Sequence, residues 1–312
     1  MNIGLDIMGG DFAPEKTVLG AIEARKAFPS NYIITLVGDS KKAKDIIKKE
    51  DFDPSLFEYV HTEEVIEMSE HATRAMRKKP NSSISLGFQL LGVGKLDVFA
   101  SAGNSGAMLI GSMFSSRPIG GVIRPCITSV LPKESGGTGI ILDVGINADC
   151  KPDVLYQFAI LGSLYAEFVF NIKNPKVGLL NIGEEKGKGN LLTQATHQLM
   201  SETEDFNFIG NIEGRDIFSD KADVIVCDGF TGNVILKEAE AFYTLLVKRG
   251  LMDDYFKRFN YENYGGTPVL GVNGNVLIGH GISSSKAIKN MLHLGLDMAE
   301  ADLPNKIKKA FK

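Results

Sequence analysis

Lys176-Val-Gly-Leu-Leu-Asn-Ile182 runs directly into Gly183-Glu-Glu-Lys-Gly-Lys-Gly-Asn190, and residues 191–202 follow with helical periodicity. The first segment is short, apolar and without alternation, which suits a strand covered on both faces. Strand, glycine-rich turn and helix in that order form the repeating unit of a parallel α/β sheet. The same reading applies to 139–144 followed by 153–171, and to 222–227 followed by 234–248. Further strands are expected over 2–8, 32–37, 96–100, 207–212 and 275–279, and further helices over 15–27, 41–49 and 284–296. The expected fold is α/β: a doubly wound, mainly parallel sheet with helices on both faces.

The chain has 312 residues, of which 44% are hydrophobic and 23% charged. That is enough for a substantial core, and it excludes the disordered, collagen-like and disulfide-scaffold classes. No linker, low-complexity tract or internal repeat interrupts it, so residues 1–312 read as one continuous unit, although the length also accommodates two domains. The exception is 241–264, where Phe242, Leu245, Leu246, Leu251 and Phe256 alternate with Lys248, Arg249, Lys257 and Arg258 as a protruding amphipathic segment able to dock on something. The formal charge of −4 gives no basic field for nucleic acid. Cys126, Cys150 and Cys227 form no CxxC pair, so reduced thiols in a cytoplasmic protein are expected. The N-terminus reads as a strand, not a leader. The most apolar window, 154–170, contains Gln157 and Glu167 and falls short of the roughly 20 apolar residues that span a bilayer, so it reads as a buried helix.

Ligands of open α/β sheets bind beyond the carboxyl ends of the strands. Six turns there are rich in Gly, Asn, Asp and Ser: Met8-Gly9-Gly10-Asp11, Ser101-Ala-Gly103-Asn104-Ser105-Gly106, Asp143-Val-Gly-Ile-Asn147-Ala-Asp149, 183–190, Asp228-Gly-Phe-Thr231-Gly232-Asn233 and Gly279-His280-Gly-Ile-Ser-Ser-Ser285. All six are expected on one edge. Any one could be ordinary punctuation between strand and helix. Together they suit an anion, because glycine permits close approach to phosphate oxygens and helix starts present N–H groups. Lys186 and Lys188 are the cationic candidates, with a solvated surface lysine as the plain alternative. His280 is either a general base or a hydrogen-bonded imidazole, and Cys150 reads as a small buried thiol. The 183–189 glycines miss the P-loop spacing by one residue, and Gly92-Val-Gly94 lacks a third glycine, so ATP and NAD are disfavoured. No histidine or carboxylate spacing motivates a metal site.

Asp6-x-Met8-Gly-Gly-Asp11-x-Ala-Pro14, Ser101-Ala-Gly-Asn-x-Gly-Ala107, Arg124-Pro125, Leu142-Asp-Val-Gly145, Asn147-x-Asp-Cys-Lys-Pro152, Val177-Gly-Leu-Leu-Asn-Ile-Gly183, Lys188-Gly-Asn190, Cys227-Asp-Gly-Phe-Thr-Gly-Asn233 and Tyr264-Gly-Gly-x-Pro268 run in order along the chain. In these motifs it resembles the bacterial phosphate acyltransferase (PlsX) family of phospholipid synthesis. The resemblance implies an α/β/α sandwich akin to phosphate acetyltransferases and isocitrate dehydrogenase. It implies transfer of a long-chain acyl group from the thioester of acyl carrier protein to inorganic phosphate, by direct attack and with no cofactor. It implies catalytic roles for Lys188 and Asn233, while Asp6, Asn147, Asp149, Lys151, Asn190, Asp228, Thr231 and Gly232, in or beside the strand-end turns, are candidate phosphate- or substrate-binding positions. A homodimer, weak peripheral attachment to the cytoplasmic membrane and a downstream glycerol-3-phosphate acyltransferase are implied as partners. The acidic carrier would meet a basic face, either Arg74, Arg77, Lys78 and Lys79 or Lys248, Arg249, Lys257 and Arg258. Two alternatives stay open: a transferase using coenzyme A, and a phosphate-binding scaffold without turnover.

Overall fold

The computed structural model describes residues 1–312. Along the chain come β1 (Asn2–Asp6), α1 (Glu15–Ala27), β2 (Ile33–Gly38), α2 (Ser40–Lys49), β3 (Glu58–His61), α3 (Ala72–Lys78), α4 (Ser83–Gly92), β4 (Val98–Ser101) and α5 (Ser105–Gly111). Then follow β5 (Cys126–Pro132), β6 (Thr138–Leu142), α6 (Pro152–Val169), β7 (Lys176–Leu180), α7 (Leu191–Ser201), β8 (Asn207–Ile212), β9 (Val224–Val226) and α8 (Gly229–Lys248). The chain ends with β10 (Gly266–Leu270), β11 (Asn275–Gly279), α9 (Ser285–Glu300) and α10 (Leu303–Ala310). Contacts gather these elements into two units, Met1–Pro118 with Tyr261–Asp302, and Ile119–Asn260 with Leu303–Lys312. No change of composition marks the passages between them, which is why the sequence reads as one continuous unit.

In the first unit the strand order is β3-β2-β1-β4-β11-β10, parallel throughout except for β10, which runs antiparallel to β11. Ile3 and Leu5, and Val98, Phe99 and Ala100, are fully buried. Successive strand residues point to opposite faces, so burial of consecutive positions means that both faces are covered. In the second unit the order is β5-β6-β9-β7-β8, with β5 antiparallel and the others parallel. Its core includes Ile141, Ile212, Ile225 and Cys227. The fold is a doubly wound, mainly parallel α/β arrangement, as the strand-turn-helix repeat implies.

The apolar window becomes α6, whose Val154, Leu155, Phe158, Leu161 and Tyr165 are all buried. No helix is long and apolar enough to cross a membrane. In α8 only Gly229 and Gly232 are buried, and Phe230, Val234, Phe242, Leu245 and Val247 are exposed. The amphipathic run expected over 241–264 divides. The helix stops at Lys248, while Tyr255, Phe259 and Phe218 pack ring against ring at 5.1–5.5 Å. Arg258 donates to the carbonyls of Lys133 and Gly137 (3.0 and 2.6 Å), so this guanidinium anchors the local chain and is not a spare docking charge.

Candidate active site

In the second unit β6, β9 and β7 are adjacent and parallel, so the turns after them leave the sheet at one edge. The first unit repeats the arrangement with β1, β4 and β11. The six glycine-rich turns therefore fall into two sets of three, one in each unit.

The second unit's turns are organised by Asp143, which is fully buried. One carboxylate oxygen accepts from the Asn147 N–H at 2.6 Å and from Asn147 Nδ2 at 2.9 Å; the other accepts from the Ile127 N–H at 3.1 Å. Burial is the largest influence on this carboxyl and raises its pKa above the usual aspartate value, outweighing those donors. Asn147 is itself buried, and its amide also donates to the Pro125 carbonyl at 2.9 Å, so it shapes the turn. The helix expected from Val234 begins at Gly229 instead, capped by Asp228, whose two oxygens take the Thr231 N–H (2.8 Å) and hydroxyl (2.9 Å). Two glycines hide this start from propensity rules. A side chain at Gly232 would come within 2.0 Å of the Asp143 carbonyl, so glycine is what lets α8 pack onto the β6 turn. Asn233 consequently stands on α8, exposed, with its amide about 3.5 Å from where a side chain on Gly145 would be.

Lys188 projects from the turn after β7, exposed, its stem against Gly183. Three side-chain amides hold this turn. Asn181 donates to the Lys188 carbonyl (3.1 Å), Asn211 on β8 to the Glu185 carbonyl (3.0 Å), and Gln194 on α7 to the carbonyls of Gly187 and Gly189 (3.0 Å each). The Lys188 N–H closes the same turn onto Glu185 at 3.0 Å. Gly189 has φ of +92°, a backbone conformation that L side chains rarely adopt. Asn190 caps α7 through the Thr193 N–H at 2.9 Å. Lys186, Asp149 and Lys151 are exposed, and the Asp149 carbonyl accepts from Arg124 at 2.9 Å. The turn bearing Lys188 and the start of α8 both border a cavity of about 410 Å³.

In the first unit Asp6 is fully buried and raised in pKa by burial; it accepts from the Ser101 hydroxyl (2.6 Å) and the Met8 N–H (2.9 Å). Ser101 in turn accepts from the Gly103 N–H at 2.9 Å, and Gly9 packs against Gly103. The Asp11 N–H reaches the Gly281 carbonyl at 2.8 Å, tying the first turn, with Gly10, to the last. Asn104 is engaged throughout: it caps α5 through the Ala107 N–H and donates to the carbonyls of Glu67 and Glu70, all at 3.0 Å. Asp11, Ser105 and His280 are exposed beside it, with Gly106 partly covered. Ser283 donates to the His280 carbonyl, while the His280 ring lies tilted against Tyr261 at 5.1 Å.

Burial pushes the Cys150 thiol up to about 11 and those of Cys126 and Cys227 well above their usual value, so all three are protonated thiols at neutral pH. Sequence reasoning singled out the lysines and turn glycines but passed over Asp143 as an organiser and Asn181, Gln194 and Asn211 as clamps. The available signal was polar residues at strand ends; Asn211 and its partner carbonyl are 26 residues apart, so spacing does not reveal the pair.

The profile of the family described as "Fatty acid synthesis protein" matches residues 1–257. Phosphate acyltransferase of Dictyoglomus thermophilum is 44% identical over 326 aligned positions, covering 98% of this chain and 96% of the relative. That of Endomicrobium trichonymphae is 43% identical, covering 99% and 97%. The chain belongs to the phosphate acyltransferase family. It is accordingly an enzyme, an acyltransferase. The family profile spans every candidate turn except the one after β11, and the aligned relatives extend over nearly the whole chain. The fold extends to more distant structures, among them a phosphotransacetylase from Streptococcus pyogenes (TM-score 0.68, 15% identity, 96% of this chain and 94% of that one). A branched-chain phosphotransacylase from Enterococcus faecalis is similar (TM-score 0.66, 14% identity, 96% and 99%).

Proposed function

We propose that this acyltransferase moves a long-chain acyl group from the thioester of acyl carrier protein to inorganic phosphate, making acyl phosphate for glycerophospholipid synthesis. The observation that carries the reading is the adjacency of two turns at the ends of the neighbouring parallel strands β7 and β9, one bearing Lys188 and the other leading to Asn233. A phosphate oxygen attacks the thioester carbon, the tetrahedral intermediate collapses, and the carbon–sulfur bond breaks to release the carrier thiolate, which takes up a proton from water. Lys188 offsets the phosphate charge and Asn233 donates to the phosphate or to the oxyanion that develops. Attack is direct: the protonated cysteines supply no thiolate nucleophile, which supports transfer without an acyl-enzyme. Asn190, Thr231 and Lys186 surround the phosphate-binding turns, and Asp11, Ser105 and His280 offer a substrate-contacting surface in the first unit. No cofactor takes part in this scheme.

The exposed apolar residues of α8 support a homodimer. Phe230, Val234, Phe242 and Leu245 share one side of the helix at steps of 4, 8 and 3 residues. Weak peripheral contact with the inner face of the cytoplasmic membrane would use the same residues. Of the first basic face, Lys79 is engaged by Glu70 and the Val65 carbonyl, which leaves Arg74, Arg77 and Lys78 exposed on α3. Of the second, Arg258 and Lys257 are engaged by Lys133 and Asp254, which leaves Lys248 and Arg249, so the α3 face is the better carrier-docking candidate.

The test is incubation of the purified protein with phosphate and either palmitoyl carrier protein or palmitoyl coenzyme A, trapping acyl phosphate with hydroxylamine. Phosphate-dependent hydroxamate with matching release of carrier thiol is expected. Preference for coenzyme A would change the donor assignment, and absence of hydroxamate from both would remove the reaction.

A further inference from the structure

We propose that the cavity beside the Lys188 turn is the pocket for the hydrocarbon chain of the acyl donor, an inference that rests on the acyl-transfer reading above. The cavity, about 410 Å³, lies within the roughly 300–1,000 Å³ typical of small-molecule sites. Its apolar walls include Leu155 of α6, Leu179 and Leu180 of β7, Ile217, and Ile235 of α8. Leu155 and Leu179 are almost wholly buried, so the recess reaches into the interior of the second unit. Ile182, a large apolar side chain that is 82% exposed, also lines the cavity.

Apart from the exposed Asn190 amide, the polar side chains that border the cavity are already engaged within the protein. Both oxygens of Asp228 are taken by Thr231. Asn181 accepts from the Ile182 N–H (2.9 Å) and donates to Lys188, and the Thr193 hydroxyl donates to the Asn190 carbonyl at 3.1 Å. A polar ligand would find these partners occupied, whereas a hydrocarbon needs none. An anion fits worse: no lysine, arginine or histidine lines the cavity, and a carboxylate does. Phosphate therefore belongs outside, at the exposed Lys188, while the chain lies inside. This division gives the two substrates separate surfaces that meet at the turn after β7.

Filling the pocket should penalise long chains selectively. Ile217→Trp and, at a half-buried helix position that tolerates bulk, Ile235→Trp are assayed against palmitoyl and hexanoyl carrier protein with phosphate. The expected result is a loss of about tenfold or more in kcat/KM for palmitoyl with hexanoyl changed by less than about threefold. Equal losses for the two chains, or none, in variants that melt as the wild type does would overturn the assignment. A readout independent of turnover is displacement of a fluorescent long-chain fatty acid by palmitate. The wild type should bind palmitate and Ile235→Trp should weaken binding about tenfold; unchanged binding, or none by the wild type, contradicts the pocket. Absence of acyl phosphate from the wild type with palmitate still bound would instead remove the transfer reading alone.

Discussion

Asp143 accepts three hydrogen bonds and donates none, so the site demands a carboxylate and not merely a polar side chain. An asparagine there sets an amide N–H₂ against the N–H groups of Asn147 or Ile127. Asp143→Asn should cost about 1–3 kcal/mol of stability, measured by urea denaturation, and loosen the turn beneath Asn233. Asp6 makes a milder demand, because one of its partners is the Ser101 hydroxyl, which can accept as well as donate. Burial raises the native pKa of Asp6 above its unfolded value of about 3.9, so the native state keeps a proton that the unfolded chain has lost. That contribution is fully present below the unfolded value and disappears as pH rises through the raised native one. Asp6→Asn lacks this titration, so its stability relative to wild type should improve with rising pH across that window; a pH-independent difference in denaturation midpoints would contradict it. At this scale the place of Lys188 in a glycine-flanked turn after a strand was legible, whereas Cys150, expected as a small buried thiol, is only half-buried. Asp143 was not, because an aspartate ending a strand looks like turn chemistry until its three donors, one of them 16 residues away, are seen.

The clamp on the Lys188 turn belongs to three elements at once: Asn181 after β7, Gln194 on α7 and Asn211 on β8. Asn211→Leu keeps the bulk but leaves the Glu185 carbonyl without its donor. A small misplacement of a catalytic group costs up to about 10²-fold, so kcat should fall about tenfold or more while KM for phosphate moves less. Steady-state kinetics separates the two, and an unchanged kcat would show that the turn holds itself. Among the elements, the buried strands β6, β7 and β9 were legible from apolar runs, and α2 and α9 from their periodicity. Three strands were not: β3 is short and half-exposed, β5 pairs antiparallel in a hairpin and ends in Pro132, and β10 contains Pro268. Helix α4 carries Gly87 in a largely apolar run with no charged residue, and α3 and α5 have seven residues each, too few for a periodic signal. The early start of α8 was hidden by glycines chosen for close packing.

Across the whole molecule, composition and element order identified the α/β class, whereas the division into two units left no mark because no linker separates them. The set of exposed apolar residues on α8 is the clearest surface feature of the second unit, and the proposed homodimer uses it. Phe242→Glu with Leu245→Glu should shift sedimentation toward a monomer with the fold retained; an unchanged sedimentation coefficient would move the interface elsewhere. The central claim concerns chemistry carried by two neighbouring turns, and the most direct measurement is the rate of phosphate-dependent acyl phosphate formation by Lys188→Ala and by Asn233→Ala, each shown by circular dichroism to fold as the wild type does. Both side chains are exposed, so neither substitution disturbs the core. Each variant should lose about 10²- to 10³-fold in rate. Turnover near the wild-type level in both would contradict the account.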